Sequence, residues 1–178
     1  MYRFNRIKLI LITLVQIGFS GIAQNPLEQL IQQKIDNMSL SEKIKQLHGQ
    51  DMWSTEDNTN LNIPGFTVAD GPHGVRFVDA TAFPTGIAIA ASWNRNLAHE
   101  VGRVMGKEFH AYGKHQQLGP ALDLCRDPRN GRSPETGGED PFLCAHINID
   151  LIKGIQENPT IATIKHFNGV NKQANRHQ

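Results

Sequence analysis

The sequence predicts an α/β fold in which short buried strands alternate with amphipathic helices. Two observations carry this expectation. Apolar runs without helical spacing, at residues 66–69 and 161–164, are separated by segments whose apolar residues recur every three to four positions. Polar groups also stand where those runs stop: Asp70 follows the first, and Lys165 with His166 follows the last. Parallel sheets carry functional side chains at the carboxyl ends of their strands, in a barrel and in a doubly wound sheet alike.

The elements follow in order. Arg3, Arg6 and Lys8 precede an apolar run from Leu9 to Val15, and Gly21 and Ala23 supply the small residues of a cleavage site. That run is shorter than the roughly 20 residues a membrane span needs, so residues 1–23 read as a secretory signal peptide, with an uncleaved anchor as the alternative. The mature chain then starts near Gln24. Asn25-Pro26 opens a helix bearing Leu27, Leu30, Ile31, Ile35 and Met38. Ser39 with Glu42 forms a capping box for a second helix bearing Leu40, Ile44 and Leu47. Residues 50–60 are polar and aperiodic and read as a loop.

After the strand that ends at Asp70, Asn94 caps a helix with Leu97, Val101, Val104, Met105 and Phe109 on one face, ended by Gly113. A strand is expected at about residues 117–124. Asp140-Pro141 opens a helix through Leu143, Ile147, Leu151 and Ile155, stopped by Asn158-Pro159. Once the leader is removed, roughly 155 residues remain, against about 250 for a full barrel. About three strand–helix units are visible, and an unclosed barrel exposes sheet edges and apolar helix faces.

Charge is balanced, with 18 Lys+Arg against 17 Asp+Glu, so no electrostatic footprint points to nucleic acid. Cys125 and Cys144 are the only cysteines. They lack the spacing and the His partners of a metal site and read as two buried free thiols rather than a disulfide. No cysteine lies near the cleavage point to accept a lipid, and neither a cofactor nor a metal is expected.

Three segments carry the chemistry. Asp70 lies in Asp-Gly-Pro-His-Gly, where the glycines let a ligand approach the turn closely. Its carboxylate suits two neighbouring sugar hydroxyls, or merely bonds its own backbone in the turn. Residues 127–132, Asp-Pro-Arg-Asn-Gly-Arg, offer two guanidinium groups. Arg132 is expected to face the site and Arg129 to serve the loop, with internal ion pairing as the alternative for both. Asp140 is better explained as a helix cap than as a catalyst. Lys165 and His166 set a cation beside a neutral donor–acceptor, and both reach one pocket only if the strand has ended there.

In this order, Asp-Gly-Pro-His-Gly-Val-Arg (70–76), Ala82-Phe83-Pro84 with Trp93-Asn94, Gly119-Pro120, the 127–132 turn, Glu139-Asp140-Pro141 and Lys165-His166-Phe167 resemble the N-terminal barrel of family-3 glycoside hydrolases. The resemblance runs from about Met38 to Gln178. It implies the N-terminal portion of a (β/α)8 TIM-like barrel, incomplete, with residues 24–60 as a helical lead-in and residues 61–178 as the partial barrel domain. By position, Asp70, Arg132, Lys165, His166 and Arg176 resemble the residues that hold the hydroxyls of the terminal sugar. Asn168-Gly169-Val170-Asn171 is similar to the β-glucosidase and β-xylosidase branch, while Gln173 stands near where many relatives have Glu.

The resemblance further implies hydrolysis of terminal non-reducing β-D-glycosyl residues, β-glucosyl above all, by a retaining double displacement. It places the nucleophile and the acid/base beyond Gln178, so no catalytic residue is assigned within the chain. The expected partner is a β-linked oligosaccharide or glycoside, with no nucleic acid and no membrane after leader cleavage. The expected location is periplasmic or extracellular. A non-catalytic sugar-binding fragment and a decayed remnant are the alternatives.

Overall fold

A computed structural model describes residues 25–166 and 169–175. The expected leader, Phe167 and Arg176 lie outside the described residues. The chain divides into two compact units, residues 1–44 and 45–178.

In the first unit, helix α1 (Pro26–Asn37) starts where the sequence places it. The Asn25 side chain accepts from the Leu27 N–H at 3.1 Å, and Pro26 fills a position whose N–H would otherwise lack a partner. Helix α2 (Leu40–Lys45) opens on the expected capping box: Ser39 N–H donates to Glu42 Oε2 at 2.8 Å and Glu42 N–H donates to Ser39 Oγ at 3.3 Å. The helix ends at Lys45, so Leu47, expected on its stripe, lies outside it. No apolar residue of either helix is buried.

The second unit holds a three-stranded parallel sheet in the order β1 (Val68–Asp70), β2 (Gln116–Ala121), β3 (Ile161–Lys165). Parallel neighbours require a crossover, and helices supply it. Helices α3 (Gly86–Ala91) and α4 (Arg95–Ala111) join β1 to β2, and α5 (Pro141–Ile155) joins β2 to β3. The ends of α4 and α5 follow from their caps: Asn94 accepts from Leu97 N–H, and Asp140 accepts from both Phe142 and Leu143 N–H. Asp140 is therefore the cap that the sequence predicts.

β1 and β2 pair in register, Val68 with Gln116 and Asp70 with Leu118. Between β2 and β3 the register shifts at Leu118/Gly119, after which Ala121 pairs with Lys165. Asp70, Ala121 and Lys165 thus end their strands on one edge of the sheet. Ile161 and Ile164 on β3 are exposed, as on an open sheet edge.

Three expectations need correction. Helix α3 was not expected, because Gly86-Ile-Ala-Ile-Ala-Ala is apolar at nearly every position and shows no amphipathic period; its Ile89 and Ala90 are buried. Residues 50–60 are more ordered than a loop. Antiparallel bridges join Gly49 to Thr55, Ser54 to Thr67 and Asn58 to Ile63, and a 3-10 turn spans Thr59–Leu61. These are backbone bonds, which polar composition does not reveal. The apolar stripe on α4 is also displaced: Leu97 and Val104 are exposed, and the buried face is Ala98, Gly102, Met105, Gly106 and Phe109.

Glycine explains that displacement. A Cβ on Gly102 would strike the Leu151 carbonyl of α5, and one on Gly154 would strike the His99 carbonyl of α4. The helices approach so closely that small residues carry the contact. The core forms two clusters, Ala69, Val75, Met105 and Phe109 in one and Ile89, Ala90, Ala98 and Ile147 in the other, with Val101 packed against both. Both cysteines are free; Cys144 is buried, which pushes its thiol up, while Cys125 is only half-buried. Among the described residues no helix is long and apolar enough to cross a membrane.

Candidate functional site

The three strand ends converge on a charged cluster. Asp70 Oδ1 accepts from Lys165 Nζ at 2.5 Å, and Oδ2 accepts from Arg76 Nη1 at 2.6 Å. The carboxylate therefore bonds two side chains rather than closing on its own backbone. Burial pushes the Asp70 carboxyl up, but the hydrogen bonds from Lys165 and Arg76 outweigh it and hold the group below the usual carboxylate range. Asp70 is thus an anion with acceptor capacity to spare, since a carboxylate offers about four lone-pair sites.

The turn after Asp70 is tight because its glycines permit it. A Cβ on Gly71 would meet the Gly74 carbonyl, and Gly74 sits at φ +120° against the Thr81 carbonyl. Gln117, fully buried on β2, donates to the Gly71 carbonyl at 2.9 Å and anchors the turn to the sheet. His73 is half-buried in the same turn, and burial pushes its imidazole below the ordinary value.

Two residues past β2, Asp123 holds the other corner. Its Oδ2 accepts from the His166 backbone N–H at 3.0 Å and lies 2.7 Å from His166 Nδ1, while Oδ1 accepts from Val170 N–H at 3.1 Å. Burial pushes Asp123 up, and these bonds more than reverse it, leaving the carboxyl lowered. The strand ends at Lys165, as the sharing of one pocket requires. Lys165, His166, Asp123, Gly169 and Asn171 line a cavity of about 380 Å³.

Arg132 makes a two-point bond to Glu135, Nε to Oε1 at 2.8 Å and Nη2 to Oε2 at 2.7 Å, with both side chains largely buried. The Arg132 guanidinium also feels the charges of Asp123 and Asp70, and Glu135 feels those of Lys165 and His73, so the pair belongs to the same cluster. Arg129 instead grips Asp127 two residues back, its side chain 86% exposed, and holds that carboxyl at about 2. Internal pairing thus occurs at both arginines. Arg132 lies within the electrostatic reach of Asp123 and Asp70, and Arg129 bonds within its own turn.

A second hollow of about 320 Å³ adjoins Asp70 on its other side, lined by Trp53, Arg76, Phe77 and Lys114. The Trp53 and Phe77 rings meet edge to face with centroids 6.2 Å apart, and the Arg76 guanidinium lies 4.9 Å over Phe77. Phe77 has φ +67° and is 79% exposed, an uncommon backbone state for an aromatic residue. Among the described residues no cluster of potential metal ligands exists.

Of the residues singled out from sequence, Asp70 and Lys165 are in direct contact, His166 shares a cavity with Lys165, and Arg132 lies in their electrostatic reach. Asp123 and Arg76 were not assigned roles. The rule that strand ends carry function did not reach Asp123, because the strand was expected to run to about residue 124 and ends at Ala121 instead. Arg76 had no such signal, because a six-residue separation across an irregular turn fixes no geometry.

The chain belongs to glycosyl hydrolase family 3: residues 15–178 match the N-terminal domain of that family. It is 40% identical over 143 residues to "Probable beta-glucosidase I" of Neosartorya fischeri, covering 77% of this chain and 17% of that protein. It is 36% identical over 148 residues to "Probable beta-glucosidase H" of Aspergillus flavus, covering 80% of this chain and 18% of that protein. Among solved structures, the family-3 beta-glucosidase of Bifidobacterium adolescentis aligns with a TM-score of 0.72 at 33% identity, over 78% of this chain and 21% of that one. The beta-glucosidase of Kluyveromyces marxianus in complex with glucose aligns with a TM-score of 0.75 at 33% identity, over 80% of this chain and 18% of that one. The chain spans less than a quarter of each of these relatives. Its parallel α/β sheet is part of a TIM-barrel-like fold, as the resemblance implied.

Proposed function

We propose that this chain is the sugar-gripping part of an exported β-glycosidase that removes terminal non-reducing β-D-glucosyl residues with retention of configuration. The Asp70 carboxylate, ionised and bridged by Lys165 and Arg76, carries the reading. Vicinal hydroxyls of a pyranose donate and accept at once, and this cluster offers both kinds of partner: Lys165 and His166 line one cavity, and Asp70, bonded to Lys165, lines the hollow beside it. The glucose complex of the Kluyveromyces marxianus relative supports glucose as the sugar.

In a retaining mechanism a carboxylate attacks the anomeric carbon and a second carboxyl group, about 5–5.5 Å away, protonates the leaving oxygen and then activates water. Neither group is assigned among these 178 residues. Asp70, Lys165, His166 and Arg132 hold the sugar; their contribution to rate comes from hydroxyl contacts that strengthen in the transition state. Arg176, by its resemblance, adds a further donor.

Titration of the isotopically labelled chain with D-glucose tests this. The expected result is a saturable shift of Asp70, Lys165 and His166 signals, lost in Asp70→Asn, with no hydrolysis of p-nitrophenyl β-D-glucoside. Glucose at saturating concentration that moves none of the three would overturn the assignment. Export is tested separately by the mature N-terminus, expected near Gln24.

A further inference from the structure

The Asp123 side chain is only 3% exposed, and among the described residues its hydrogen bonds all run to the segment that leaves β3. Two backbone N–H groups, from His166 and Val170, aim at its two oxygens, and such donors keep a carboxylate ionised. An ionised carboxylate only accepts, so the His166 Nδ1 that lies 2.7 Å from Oδ2 must carry a proton. In the neutral ring, a proton on Nδ1 leaves Nε2 as the acceptor. Among the described residues Nε2 has no hydrogen-bond partner, and the ring lines the cavity. The loop is held from its far side too, because the buried Asn130 donates to the Val170 carbonyl at 3.2 Å.

We propose that Asp123 is a positioning residue: it holds His166 as the Nδ1–H tautomer and so presents Nε2 to the cavity as a hydrogen-bond acceptor for a sugar hydroxyl. This rests on the sugar-binding reading above. The neighbouring Lys165 ammonium can only donate. Lys165 and His166 are thereby made complementary, one giving and one taking a proton in hydrogen bonds to hydroxyls of the same sugar. Without Asp123 the neutral ring would be free to take the Nε2–H tautomer, and the site would present donors only at this corner.

The test reads the ring nitrogens of His166 directly, by nitrogen NMR of the full 178-residue chain at neutral pH, alone and with D-glucose. Protonated Nδ1, unprotonated Nε2 and a glucose-induced shift at Nε2 are the expected results, with the Nδ1–H state lost in a folded Asp123→Ala variant, which leaves no oxygen to accept from the ring. A wild-type ring protonated at Nε2, whether as the other tautomer or as imidazolium, overturns the proposal and needs no variant at position 123. An unchanged Nδ1–H ring in folded Asp123→Ala overturns the role given to Asp123. A ring in the expected state while glucose moves no cavity residue overturns the sugar-binding reading and, with it, the acceptor role. The two failures are therefore distinguishable.

Discussion

Asp70 and Lys165 stand 95 residues apart in the chain and 2.5 Å apart in space, at the ends of the two outer strands of the sheet. Their ion pair reaches across the end of the middle strand. Because both side chains are largely buried, it is screened less by solvent than a surface pair would be. It joins the first and last elements of the α/β unit at the point where the sugar is proposed to sit.

Acid should weaken the fold through Asp70 and Asp123. Both carboxyls are lowered in the folded state, so as pH falls the unfolded chain takes up protons first. Their contribution is full above the ordinary carboxylate value of about 4 and is lost as pH drops through the lowered folded values. Urea midpoints measured from neutral pH to strongly acidic pH should hold steady and then fall. Asp70→Asn should flatten that fall, and an equal slope in both proteins would refute the assignment.

Gly102→Ala should destabilise by about 1–3 kcal/mol, since the added methyl meets the backbone of Leu151 rather than a side chain that can turn away. Gly131→Ala is the control. Nothing lies within 4 Å of its Cβ position, and a change within about 0.5 kcal/mol is expected. Chemical denaturation of the two variants makes the comparison.

Asp140→Ala removes the acceptor for two N–H groups at the start of α5 and should cost about 1 kcal/mol. Asp140→Asn keeps an oxygen in place and should recover most of that loss. Thermal unfolding of the three proteins separates a cap from a merely charged residue.

Trp53→Ala should weaken binding of an aryl β-D-glucoside more than binding of free glucose. The Trp53–Phe77 pair borders the hollow that Asp70 also lines, and an aryl group seated against these rings gains about 0.5–1.5 kcal/mol. Calorimetric titration with both ligands checks it; equal losses would place Trp53 in a purely structural role.

Much of the fold was legible because its signals are local. The Asn25, Ser39, Asn94 and Asp140 caps each act within three residues and stand where the sequence puts them. Strand ends were legible through composition, which located Asp70 and Lys165 without revealing that they touch. What stayed hidden depends on distant backbone. The glycine face of α4 is a core face only because α5 comes close, and the bridges around Trp53 are made by groups every residue carries. Asp123 was concealed inside a run expected to be strand, since nothing local marks Ala121 as the last paired residue.

The order of synthesis meets this sheet from its empty side. A ribosome delivers Asp70 first, then the helix and strand that support it, and Lys165 only after the whole of α5 has emerged. Until then Asp70 has Arg76 alone as its cation, and His166 has not yet reached Asp123. Contacts of such long sequence separation form late and slowly, because the intervening chain must be ordered before they repay its entropy. Sugar binding by a nascent chain is therefore expected to begin abruptly, when β3 docks, and would serve as a clock for the completion of this three-stranded unit.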